Sequence, residues 1–76
     1  MHFEATVFNF TEARKANLNT YIELQEFMVE MERKGFVDAR VRAFDSEGLK
    51  KTKYFAHTGI EWEEISKLRD HLHIAD

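Results

Sequence analysis

Residues 51–65, KTKYFAHTGIEWEEI, decide how this chain folds, because two different periodicities meet inside them. From Lys51 to His57 the side chains alternate, with Lys51, Lys53, Phe55 and His57 on one side and Thr52, Tyr54 and Ala56 on the other. Period two is a strand signal, and only one side of a strand can face a core. Drawing two ammonium groups toward an apolar interior costs far more than exposing one phenylalanine. The expected strand, about residues 50–57, therefore buries Tyr54 and Ala56 and turns Lys51, Lys53, Phe55 and His57 outward.

After His57 the pattern changes. Thr58-Gly59-Ile60-Glu61 has the T-x-x-E form of a helix capping box, in which hydroxyl and carboxylate satisfy free backbone N–H groups. Glu61, Glu63 and Glu64 would occupy the first turn, with Lys67, Arg69 and the histidines toward the end, an order that suits the helix dipole. Trp62, Ile65, Leu68 and Leu72 supply an apolar stripe. The expectation is a helix capped at Thr58 and running toward the histidines, with His57 packed on Trp62 as a staple. His57-Thr58-Gly59 is then a structural joint, not a fragment of an active site.

Upstream, HFEATVF at 2–8 alternates Phe3, Ala5 and Val7 against His2, Glu4 and Thr6, which argues a half-buried strand. NFTEARKANLN at 9–19 is polar and uneven, and is taken as a connection. Thr20-Tyr21-Ile22-Glu23 is another capping box, followed by Leu24, Phe27, Met28 and Met31 at helical spacing. Gly35 stops this helix, about residues 20–34, and lets Phe36 fold back onto Met31. Val37, Ala39, Val41 and Ala43 form the next apolar face, opposed by Asp38, Arg40, Arg42 and Phe44. Asp45-Ser46-Glu47-Gly48 is hairpin chemistry joining it to the strand at 50–57.

The order strand, helix, strand, strand, helix predicts a single α+β domain over 1–76. It is a two-layer β-α-β-β-α sandwich, a three-stranded mixed sheet with two helices on one face. The topology is analogous to a ferredoxin-like fold lacking its last strand, with the strand at 50–57 in the centre. Such an analogy carries no function with it. One sheet face and two sheet edges would stay uncovered, and a homodimer is the expected remedy.

Composition narrows the classes. The 76 residues include no cysteine, which removes disulfides and thiolate metal sites and fits a cytoplasmic location. No run approaches the ~18–20 apolar residues of a membrane span, so no membrane partner is expected. The opening MHFEATVFNF lacks the basic lead and apolar run of a secretory signal. Seven Phe, two Tyr and one Trp either fill one small core or are shared with a second subunit.

The predicted outer face collects Arg40, Arg42, Lys51 and Lys53 with Phe8, Phe44, Phe55 and His57. Basic residues among aromatics on an open sheet suit single-stranded nucleic acid. KTKYFAHT, however, lacks the basic-Gly-aromatic start of the RNA-recognition octamer, and a net charge of −3 repels polyanions at long range. The plainer reading is a solvated face with lysine stems shielding the rings, ahead of a protein-binding or dimer face, with nucleic acid last. Glu23, Glu26 and Glu30, with Glu61, Glu63 and Glu64, define a second, acidic helix side suited to a basic partner, as small inhibitors of nucleic-acid-binding proteins use. Ordinary solvated helix surface is its plainer reading.

Catalytic chemistry is not indicated. Gly35, Gly48 and Gly59 are isolated, so there is no phosphate loop. Ser46 and Ser66 have no neighbouring base, and His71 and His73 are two apart, where one helical face needs three or four. A site shared by these histidines across a dimer is the one metal arrangement left open. Small metal-dependent nucleases on ferredoxin-like dimers carry an aspartate at the end of the first strand, where this chain has Asn9. No cofactor or metal is expected. The expectation is a non-catalytic interaction protein, an adaptor, regulator or inhibitor of accessory or phage type, with nucleic-acid binding as the alternative.

Overall fold

The structure, a computed structural model, describes residues 1–68. Arg69, His71, Leu72 and His73, used above for the second helix and for metal binding, lie outside the described residues. The elements are β1 (His2–Phe8), β2 (Ala13–Leu18), α1 (Tyr21–Arg33), β3 (Asp38–Asp45), β4 (Gly48–His57) and β5 (Trp62–Ile65). All five strands join one antiparallel sheet in the order β2-β1-β3-β4-β5, with α1 packed on one face. The expected three-stranded mixed sheet with two helices is therefore wrong, and the ferredoxin-like analogy falls with it. The strand at 50–57 is not central; β3 is.

Each departure has a local cause. Residues 9–19 are not a plain connection. Asn9 Oδ1 accepts from the N–H of Thr11 at 2.9 Å and of Glu12 at 2.8 Å, and this tight turn sends the chain back as β2. An edge strand half exposed to water shows little apolar alternation, which is why ARKANL hides its period. The extra strand also reverses the chain before α1, so β3 runs antiparallel to β1 where a parallel crossover was expected.

Helix α1 is close to expectation. Thr20 Oγ1 accepts from Glu23 N–H at 3.1 Å, while the Glu23 carboxylate accepts from Asn19 N–H at 2.7 Å, one residue before the cap. At the other end Gly35 has φ +87°, and Phe36 N–H donates to Met31 O at 3.1 Å, closing the helix and seating Phe36 in the core.

The second helix does not form in the described residues; 62–65 is β5. Thr58 Oγ1 does accept from Glu61 N–H at 3.3 Å, as the capping box predicts. Thr58 N–H, however, donates to Glu61 O at 2.9 Å, and Gly59 takes φ +101°. A left-handed residue directly after the cap cannot start a right-handed helix. The same threonine chemistry closes a hairpin, and Trp62 pairs back with His57.

The phase of β4 is also reversed. Phe44 pairs with Leu49 but Ala43 pairs with Lys51, so Lys50 is the surplus residue of a β-bulge. A one-residue slip moves every later side chain to the other face. Lys53 then lies beside Val41 and Phe55 beside Ala39, on the helix side, while Tyr54 sits opposite Arg40 and Ala56 opposite Asp38. The desolvation argument fails because this part of the helix side is not sealed. The Lys53 side chain remains 40% exposed, its ammonium 3.6 Å from the Glu64 carboxylate.

The core is small and continuous. Ala5 and Val7 of β1, Ala39 and Val41 of β3, Leu24, Met28 and Met31 of α1, and Phe36 form it, with Phe3, Leu18, Phe27, Phe55 and Trp62 at its margin. The Trp62 indole N–H donates to Met28 O at 3.0 Å, tying β5 to the helix.

Candidate functional site

A helix is about 10 Å across, while five strands at roughly 4.8 Å spacing span more than about 20 Å. One helix cannot cover such a sheet. Helix α1 packs most closely on β1 and β2 and meets β5 at Trp62, which leaves, among the described residues, an open cleft between the helix and the β4–β5 hairpin. The result is a groove of about 440 Å³ lined by Tyr21, Leu24, Met28 and Val29 on the helix, with Val41, Phe55 and Trp62 opposite. Toward the N-terminal end of α1 it continues past Ala43 to a rim formed by Lys51 and Lys53.

The rim is electrostatically distinct. Lys53 Nζ lies 3.6 Å from the Glu64 carboxylate across the β4–β5 pair. Lys51 is exposed, and no carboxylate among the described residues pairs with it. The His57 ring meets the Trp62 indole edge-on at 5.2 Å, the contact expected of the staple. His57 Nδ1 accepts from Gly59 N–H at 3.0 Å. Its Nε2 is 3.1 Å from Glu32 Oε1, close but not aligned as a hydrogen bond. His57 therefore holds the turn, the indole and the helix in register.

The residues expected on one basic, aromatic face are divided between two. Phe8, Arg40, Arg42 and Phe44 occupy the face away from α1, whereas Lys51, Lys53, Phe55 and His57 occupy the helix side. The bulge at Lys50 is the physical reason. Even the outer members are not open to a ligand: Phe8 and Asp38 are fully buried and Arg40 nearly so, with its guanidinium 6.0 Å from the Phe8 ring centroid. Arg42 is engaged with Glu4 at 3.4 Å, and Glu4 also meets Lys15 at 3.8 Å. Phe44 stacks on His2 with centroids 4.9 Å apart.

The acidic side is likewise split. Glu23 belongs to the cap, and Glu26 and Glu30 lie on the outward surface of α1, Glu30 beside Lys34 at 3.7 Å. Glu61 is in the β4–β5 turn. Glu63 shares a face with Ala56 and Glu64 with Phe55, so these two point to opposite sides of β5. The six glutamates form no common surface, since three belong to a hairpin and not to a helix.

Sequence reasoning missed the groove itself, with Val41, Trp62 and Met28 assigned wholly to buried faces. Trp62-Glu63-Glu64-Ile65 gave no warning, since its apolar residues fit a helical stripe with Leu68 and do not alternate as a strand. Among the described residues no cluster of His, Asp and Glu converges to hold a metal ion, and no helix is long and apolar enough to cross a membrane. No protein-family model, curated protein or solved structure matches the chain. Its own surfaces must carry the functional assignment.

Proposed function

We propose that this chain is a small non-catalytic interaction module that works in the cytoplasm by docking a segment of a protein into the groove beside α1. It acts as an adaptor, regulator or inhibitor. The observation that carries this reading is the half-roofed sheet face, where Val41, Phe55 and Trp62 line a groove next to the helix. Apolar surface gathered beside a rigid helix and rimmed by charge is the form of a peptide-docking site. The nucleic-acid alternative loses its main support, because its basic and aromatic residues lie on two opposite faces and Arg40 and Phe8 are buried.

The test is a photo-crosslinking residue at Gln25, an exposed position lining the groove. The expected result is a protein adduct that is lost when Phe55→Ser is added. Labelled single-stranded RNA and DNA, titrated at two salt concentrations, are expected to show no saturable binding. Salt-sensitive binding abolished by Arg42→Glu would transfer the function to nucleic acid.

A further inference from the structure

We infer that the segment received by the groove is helix α1 of a second copy, so that two chains associate face to face about a twofold axis with their helices side by side and antiparallel. The inference rests on the proposed docking role of the groove and names its occupant.

Three observations carry it. First, the groove asks for aliphatic side chains flanked by carboxylates, because its floor is apolar and its rim bears Lys51 and Lys53. Second, α1 presents that combination outward. Ile22 is 67% and Val29 48% exposed, and Glu26 and Glu30 lie beside Val29 on the same surface. Large aliphatics left in water on a helix also bearing a groove wall are a surface in need of cover. Third, α1 itself borders the groove through Tyr21 and Val29. A twofold axis beside the helix therefore seats each helix in the other's groove at once, which is the self-complementary geometry of an isologous dimer.

The register follows from antiparallel packing. Ile22 faces Val29 of the partner subunit, and Gln25 faces Glu26 of the partner subunit. Lys51 and Lys53 sit at the N-terminal end of α1 beside Tyr21 and Leu24. The far end of the incoming helix reaches that end, bringing Glu30 of the partner subunit, with Glu26 one turn away, toward the two lysines. Lys51, without a partner carboxylate among the described residues, gains one.

A charge-swap experiment tests this with the full chain. Light scattering over a hundredfold dilution is expected to show a particle of twice the 9.0 kDa chain falling toward the monomer. The variant Lys51→Glu with Lys53→Glu, and separately Glu26→Lys with Glu30→Lys, each sets like charges across both contacts and is expected to weaken self-association about tenfold or more. Mixing the two variants places opposite charges at both contacts, so a mixed dimer is expected to form where neither variant pairs with itself. The lone tryptophan, in the groove wall, should shift its emission along the same dilution curve, and circular dichroism verifies that both variants remain folded.

A 9.0 kDa particle at every concentration overturns the inference. A dimer indifferent to the swaps overturns it too, since its interface lies elsewhere. A monomer that still yields a Gln25 adduct to a different protein leaves the docking role standing and removes only the second copy as occupant. A monomer with no adduct removes both.

Discussion

Thr58 and Gly59 show how one local hydrogen-bond pattern can serve two different folds. The threonine hydroxyl accepts from Ile60 and Glu61 N–H at 3.3 Å each, and those bonds are legible in T-x-x-E. What a capping box does not state is the path of the chain after it, and Gly59 at φ +101° decides that. Thr58→Ala is expected to cost about 1 kcal/mol in urea unfolding, through a loosened hairpin. Gly59→Ala would meet no atom within 4 Å. Its expected loss of about 1–2 kcal/mol is purely backbone strain. A synthetic chain with D-alanine at 59 should recover that loss, and failure to recover would show that packing, not φ, selects glycine here.

At the scale of elements, β1, α1, β3 and the hairpin turn were legible because each carries a strong periodicity or a recognisable stop. The β2 strand was not, since an edge strand with much of its surface in water needs no alternation. The facing of β4 was lost for another reason. Its alternation was read correctly, but phase passes through the turn, and Lys50 inserts one residue into the ladder. Deleting Lys50 should restore an even ladder, turn Phe55 outward and bring Tyr54 and Ala56 under the helix. Half-buried Phe55 and, with the paired β5, Trp62 would both leave the helix side. That predicts a destabilisation of about 1–3 kcal/mol and a shift of Trp62 emission as the indole loses its place against Met28. A deletion that leaves stability unchanged would mean that β4 tolerates either phase. Thr20→Ala, which removes the cap of α1, is expected to lower helix and global stability together by about 1 kcal/mol, read by circular dichroism at 222 nm.

At the largest scale, the decisive mismatch among the described residues is one helix against five strands. The sequence-derived arrangement matched two helices to three strands and left no groove on the helix side. Among the described residues, β5 stands where the second helix was expected to begin, widening the sheet without roofing it, so the candidate site follows from the Thr58–Glu61 turn. The covered half depends on Phe36, 2% exposed, at the junction of α1 and β3. Phe36→Ala is expected to cost about 3–5 kcal/mol, enough to unfold many domains of this size, in a thermal melt. Val29→Ser, by contrast, sits in the groove wall and should leave the melting temperature of the dilute chain nearly unchanged while weakening association.

The strand order has a consequence for how the polypeptide comes together. β1 pairs with β2, next along the chain, and with β3, which follows only after the helix. Every other pairing joins immediate neighbours. As the chain leaves the ribosome, the first hairpin therefore has one side open until about residue 45 has emerged, and the final three strands can assemble as a unit of their own. Closing that single long-range seam is the step on which the folding rate should depend. Substitutions at Ala5 or Val41 on either side of it should slow folding, whereas changes in β5 should act chiefly on unfolding.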